Sequence, residues 1–66
     1  MEEILEKRVS TCGFSPYTTI KCTFNSIIKV KDFVSKPKVL LIAKGFKKKS
    51  IDELASFAEK NGLKWI

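Results

Sequence analysis

The sequence of 66 residues contains no histidine and only two cysteines, Cys12 and Cys22. The lack of histidine excludes a Ser/His/Asp triad, a Cys/His pair and a zinc site that combines cysteine with histidine ligands. In a reducing compartment we expect both cysteines to be free thiols rather than one disulfide. With so few catalytic side chains, the sequence predicts a binding protein and not an enzyme.

Long apolar runs are also missing. The longest, Val39–Ala43, falls far short of the roughly 20 residues that a membrane span needs. The start, Met1-Glu2-Glu3, is acidic and is followed by no apolar stretch of signal-peptide length. The sequence therefore predicts a cytoplasmic protein without a membrane span, folded as one domain over residues 1–66 because a second core could not be buried.

Positive charge is abundant and unevenly placed. The net charge is +6, and residues 29–49 hold eight lysines against one acid, Asp32. Such a field favours an anionic partner, which could be nucleic acid, an acidic protein surface or anionic lipid. The alternative is a solvated surface that keeps a small protein soluble. The candidate anion- or partner-binding residues are Lys29, Lys31, Lys36, Lys38, Lys44, Lys47, Lys48 and Lys49.

Two segments carry helix signals. Ser50 with Glu53 forms a capping-box pattern, and Gly62 stands where a helix would end. Ser15-Pro16 is a second helix start, and the apolar residues after it fit helical spacing up to Ile28 better than they fit strand alternation. We expect Cys22 to face water, opposite the apolar stripe. The stripes are Ile51, Leu54, Ala55, Phe57 and Ala58 in the last helix, and Tyr17, Ile20, Phe24, Ile27 and Ile28 in the first.

The remaining segments favour strands. Residues 38–44 contain an apolar run typical of a strand that is buried on both faces. The order predicts an α+β ferredoxin-like β-α-β-β-α-β sandwich, with a four-stranded antiparallel sheet and two helices on one face. The four expected strands are the segment around Leu5, Val9 and Thr11, residues 29–34 with Val30 and Val34 inward, residues 38–44, and the edge strand Leu63–Ile66.

The loop Ser10-Thr11-Cys12-Gly13-Phe14-Ser15 joins the first expected strand to the first helix. A thiol beside a helix N-terminus is favoured as the thiolate. The loop resembles the Met-Thr-Cys-x-x-Cys metal loop of the heavy-metal-associated, copper-chaperone-like domain, with Ser15, or Pro16 if the loop is one residue longer, in place of the second cysteine. The closing segment, from Ser50-Ile51-Asp52-Glu53-Leu54 to Gly62-Leu63, is similar to that family as well.

The resemblance implies a metallochaperone-like domain that binds copper(I) or another soft metal through Cys12 and docks on a metal-transfer partner. A second molecule's Cys12 or a small thiol would complete the coordination. Lysines 47–49 would balance the charge of the copper-thiolate, in a monomer or weak homodimer. Two other hypotheses remain: a protein-interaction module that has lost its metal, and a nucleic-acid or anion-binding domain that uses the lysines, exposed helix amides and Phe46.

Overall fold

The computed structural model describes residues 2–66, and this part of the chain is helical. The only extended pairing within it is an isolated antiparallel bridge between Arg8 and Lys29. The predicted ferredoxin-like sandwich is therefore wrong. The elements are α1 (Glu2–Glu6), a 3-10 turn (Val9–Thr11), α2 (Pro16–Phe24), α3 (Val30–Val34), α4 (Lys38–Ala43) and α5 (Lys48–Lys60).

The segment predicted as the second strand forms α3. The Asp32 carboxylate accepts the backbone N–H groups of Lys29 at 2.9 Å and Ile28 at 3.1 Å, which stabilises the start of this helix. These bonds, that of Lys29 foremost, lower the pKa of Asp32. Val30 and Val34 were expected to point inward from a strand; four residues apart, they also share a helix face, and Val30 is fully buried.

The apolar run predicted as a central strand forms α4. Pro37 precedes the helix with extended backbone, a place where proline's missing N–H costs nothing. Of this run only Leu41 is buried, whereas Val39 is 71% and Ile42 55% exposed. A short apolar run fits a helix or a strand equally well, so periodicity alone could not decide.

Helix α5 is present as predicted, but it begins earlier. Its N-cap is Lys47, and Ser50 lies buried within the first turn. Three positions of the predicted stripe, Ile51, Leu54 and Ala58, are buried. Gly62 has a φ of +69°, the left-handed conformation expected just after a helix. The following residues form no strand.

Helix α2 starts as predicted, with Ser15 Oγ accepting the N–H of Thr18 at 3.4 Å and Pro16 in the first turn. It ends at Phe24 instead of Ile28, and its buried face is not the predicted one. Thr18 and Cys22 are fully buried. Tyr17, Ile20 and Phe24, which we name the α2 stripe, are 45%, 55% and 82% exposed.

The core lies between these helices and includes an aromatic cluster. The centres of the Phe33 and Trp65 rings lie 5.1 Å apart, with the rings edge to face. The indole N–H of Trp65 donates to the Lys36 carbonyl at 2.6 Å. Within residues 2–66 no helix is both long and apolar enough to cross a bilayer, in line with the prediction. The buried apolar residues are Val9, Cys22, Ile27, Val30, Phe33, Leu41, Phe46, Ile51, Leu54, Ala58 and Trp65.

Helices α4 and α5 contact each other and are joined by the short connection 44–47, and we name this helix–turn–helix pair the α4–α5 hairpin. Gly45 adopts a φ of +99° in the connection, a conformation that a side chain would strain. Phe46 is buried, and its N–H donates to the Leu41 carbonyl at 3.1 Å, so the turn is anchored in the core. This anchoring presents the residues on either side of Phe46 to solvent.

Candidate functional site

Cys12 is placed differently from the sequence-based expectation. It caps the 3-10 turn, and its thiol donates a hydrogen bond to the Arg8 carbonyl at 3.3 Å. Burial raises the pKa of Cys12, although the nearby Lys7 acts in the opposite direction. Ser15, not Cys12, meets the first-turn amides of α2. The expected stabilisation of a thiolate by the helix is therefore wrong.

The structure offers no support for a heavy-metal-associated domain. The fold that the resemblance implied is absent, and no group of three or more His, Cys, Asp or Glu side chains in residues 2–66 could hold a metal ion. Cys22 is buried in the core, where burial and the charge of Glu53 raise its pKa to about 11. The copper(I) prediction at Cys12 depended on that resemblance and stays a prediction of the sequence.

The eight candidate lysines separate into two groups. In the first group, Lys29 and Lys31 bind the carboxylate of Glu6 at 2.8 and 2.9 Å. The hydrogen bond from Lys29, with that from Lys31, lowers the pKa of Glu6 to about 2. Both pairs are solvent-exposed, so they contribute little to stability, but they neutralise part of the local charge.

Two further lysines of this group are held by backbone carbonyls. The ammonium of Lys36 donates to the Asp32 carbonyl at 2.9 Å. That of Lys38 donates to the Trp65 carbonyl at 2.9 Å and lies 4.8 Å from the centre of the Trp65 ring. The Lys36 ammonium thus satisfies a carbonyl four residues back, and that of Lys38 joins the start of α4 to the C-terminal segment.

The second group lies around the α4–α5 connection. Its members are exposed, and we name them the hairpin lysines: Lys44, Lys47, Lys48 and Lys49. Lys48 forms an exposed bridge to Asp52 at 3.3 Å, one turn along the helix. The ammonium of Lys21, from α2, lies 3.1 Å from the point where a Cβ on Gly45 would stand, which adds a fifth positive charge here.

The N-terminus of α5 lies within this group. Its N-cap, Lys47, is extended and provides no side-chain hydrogen bond to the first-turn amides. Such amides and the helix dipole together favour an anion. The Lys47 ammonium also lies 5.5 Å from the centre of the Tyr17 ring, so an aromatic side chain borders the lysines. Sequence spacing gave no signal that Tyr17 and Lys21 would join this surface.

A polar network fixes α2 against α5 beneath the hairpin lysines. Glu53 Oε1 accepts the N–H of Ser15 at 2.8 Å, and Oε2 lies 2.9 Å from the Ser15 hydroxyl and 3.0 Å from the Thr18 hydroxyl. The Thr18 and Ser50 hydroxyls lie 2.9 Å apart. Ser50 and Glu53 thus do not form the predicted capping box; they hold the other helix.

The network also controls the ionisation of Glu53. Burial alone would raise its pKa, but the hydrogen bonds from Ser15 and Thr18, with the charge of Lys49, outweigh that effect and lower it. Glu53 is therefore a carboxylate at neutral pH. It partly offsets the positive charge of Lys49.

The fold and this surface define a small helical domain whose α4–α5 hairpin presents a basic end. Comparison of the chain with family models, curated proteins and solved structures gives no match.

Proposed function

We propose that the chain is a nucleic-acid-binding domain that contacts the phosphate backbone through the hairpin lysines and the first turn of α5. The observation that carries the proposal is the position of these lysines. Four exposed lysines lie within residues 44–49, at and just before the start of α5, and of these only Lys48 forms an ion pair within residues 2–66, with Asp52 in its own helix. The other candidates are bonded to Glu6 or to backbone carbonyls.

The chemistry of this end suits a phosphate. A helix N-terminus offers backbone N–H donors and the positive end of its dipole, and phosphates bind at such positions. Lysine ammonium groups add charge at several directions around it without demanding a fixed geometry. Phosphate contacts of this kind position a protein on nucleic acid and carry no sequence information.

The balance of charge favours the same interpretation. Lys21 and the hairpin lysines give five positive groups, and the acids near them are Asp52 and Glu53. Glu53 is engaged with Ser15 and Thr18 and offsets part of the charge of Lys49, so two carboxylates stand against five ammonium groups. The surface thus keeps a positive field, which speeds encounter with a polyanion.

The test compares two triple variants of equal charge. In the first, Lys47, Lys48 and Lys49 become glutamine; in the matched control, Lys31, Lys60 and Lys64 do. Lys60 lies at the far end of α5, roughly 18 Å along the helix axis from its first turn. Fluorescence anisotropy of a labelled DNA duplex at low salt should show binding by wild type and control and a loss of at least about tenfold in the hairpin variant.

Equal losses in both variants would indicate attraction by net charge alone and would contradict the proposal. Absence of wild-type binding at low salt would do the same. The cytoplasmic location and the lack of catalysis stay predictions of the sequence.

A further inference from the structure

We propose a second interface: the α2 stripe is the docking surface for an acidic, amphipathic helix of a protein partner. Tyr17, Ile20 and Phe24 are spaced i, i+3 and i+7, so they form one line along α2. The inference goes beyond nucleic-acid binding and does not depend on it.

The stripe is unusual because α2 already buries its opposite face in the core, yet its solvent-facing side is also apolar. Thr18 and Cys22 are fully buried, whereas Phe24 is 82% exposed. Single exposed apolar residues are common, but contiguous exposed apolar side chains mark interaction surfaces. Ile28, 46% exposed, follows just beyond the end of the helix.

Charge complementarity identifies the occupant. Residues 7–31, which include all of α2, contain no aspartate or glutamate. The Lys47 ammonium lies over the Tyr17 ring at one end of the stripe, and Lys21 follows Ile20 directly. A partner on this face therefore meets apolar groups with two neighbouring lysines, which complements apolar residues bordered by carboxylates. An acid lies at the Tyr17 end, Glu53, but its carboxylate is engaged with Ser15 and Thr18.

Other occupants fit less well. A second copy of the chain would bring another +6 charge to a lysine-bordered surface, which opposes self-association. Bases of a nucleic acid stack on aromatic rings, but the centre of this stripe is the aliphatic Ile20. A helix that presents apolar residues at i, i+3 or i+4, and i+7 matches the stripe in chemistry and period.

The probe is a designed helical peptide of roughly 18 residues, with leucine at i, i+3, i+4 and i+7, glutamate beside the leucines and alanine elsewhere. A peptide of the same composition with its leucines scrambled is the control. In ¹⁵N-resolved spectra of the protein, the patterned peptide should shift the amides of the α2 stripe. It should bind at least about tenfold more tightly than the scrambled peptide.

Two variants locate the interface. Ile20→Ser with Phe24→Ser should weaken the patterned peptide by about tenfold or more, whereas Val39→Ser with Ile42→Ser, on exposed positions of α4, should not. Lys21→Glu leaves the stripe intact but reverses a neighbouring charge, and it should also weaken binding of the patterned peptide. Both double variants should retain the native amide spectrum, because all four side chains are exposed.

Several outcomes would overturn the proposal. They are equal binding of the scrambled peptide, shifts confined to α4, a homodimer formed through the stripe, and stripe shifts produced by phosphatidylserine vesicles or DNA but not by the patterned peptide. Failure of DNA binding with retained peptide binding would reject the proposed function alone, so the two claims are separable.

Discussion

The Glu53 carboxylate accepts the backbone N–H of Ser15 at 2.8 Å, across 38 positions of the sequence. This bond joins the N-cap of α2 to the first half of α5. The same polar network links the helix that carries the α2 stripe to the helix that begins among the hairpin lysines.

Removal of the Glu53 carboxylate should destabilise the fold. Glu53→Ala leaves the Ser15 N–H without its acceptor and the buried Thr18 hydroxyl with only the Ser15 and Ser50 hydroxyls as partners, and we expect a loss of about 1–3 kcal/mol in the free energy of unfolding. Urea unfolding followed by Trp65 fluorescence measures it. Glu59→Ala, an exposed change on the same helix, should stay within about 0.5 kcal/mol; equal effects would show that the network contributes nothing.

The same residue should make stability depend on pH. The pKa of Glu53 is lower in the folded state than its ordinary value of 4.5. Its stabilising contribution is therefore present above pH 4.5 and is lost as the pH falls through the folded value. The difference in unfolding free energy between wild type and Glu53→Gln should shrink from pH 7 to pH 3. A constant difference over that range would contradict this linkage.

The orientation of α2 can be tested by matched polar substitutions. Cys22→Asp places a charge in the core and should cost more than about 3 kcal/mol, enough to unfold much of a domain this small. Phe24→Asp, on the exposed face, should leave the far-UV circular dichroism spectrum and the unfolding midpoint nearly unchanged. The reverse pattern would indicate that the apolar stripe is buried after all.

The two thiols should differ in reactivity. Burial raises the pKa of both Cys12 and Cys22, but Cys12 is only partly buried, whereas Cys22 is fully buried. In the native protein at neutral pH we expect one thiol to react with a disulfide reagent, more slowly than a free cysteine, and the second only in denaturant. Two fast thiols, or Cys12 faster than free cysteine, would contradict the geometry at the Arg8 carbonyl.

Local signals in the sequence were sufficient for the presence and end of α5, though not for its first residue, and for the start of α2. Ser15-Pro16 and the period of Ile51, Leu54 and Ala58 act within a few residues, so the sequence alone reveals them. Elements α3 and α4 were misassigned because they are short. Val30 and Val34, four residues apart, fit both the period of a strand and that of a helix. The run from Val39 is apolar throughout and shows neither period. Tertiary contacts therefore decide between helix and strand.

The candidate site was predictable only as a composition. The sequence indicates that lysines crowd residues 29–49, and the hairpin lysines are among them. It does not indicate that Glu6 meets Lys29 and Lys31 from 23 and 25 positions away, or that Tyr17 lies beneath Lys47. Long-range pairing determines which lysines remain available to an anion.

The most direct test of phosphate binding at the hairpin is the salt dependence of DNA affinity. Each phosphate contact contributes roughly 0.7–0.9 to the slope of log affinity against log salt. We predict a wild-type slope of about −2 to −4, and a slope reduced by about 2 in the variant with Lys47, Lys48 and Lys49 changed to glutamine. Identical slopes for wild type and this variant, or an affinity that does not respond to salt, would contradict the account.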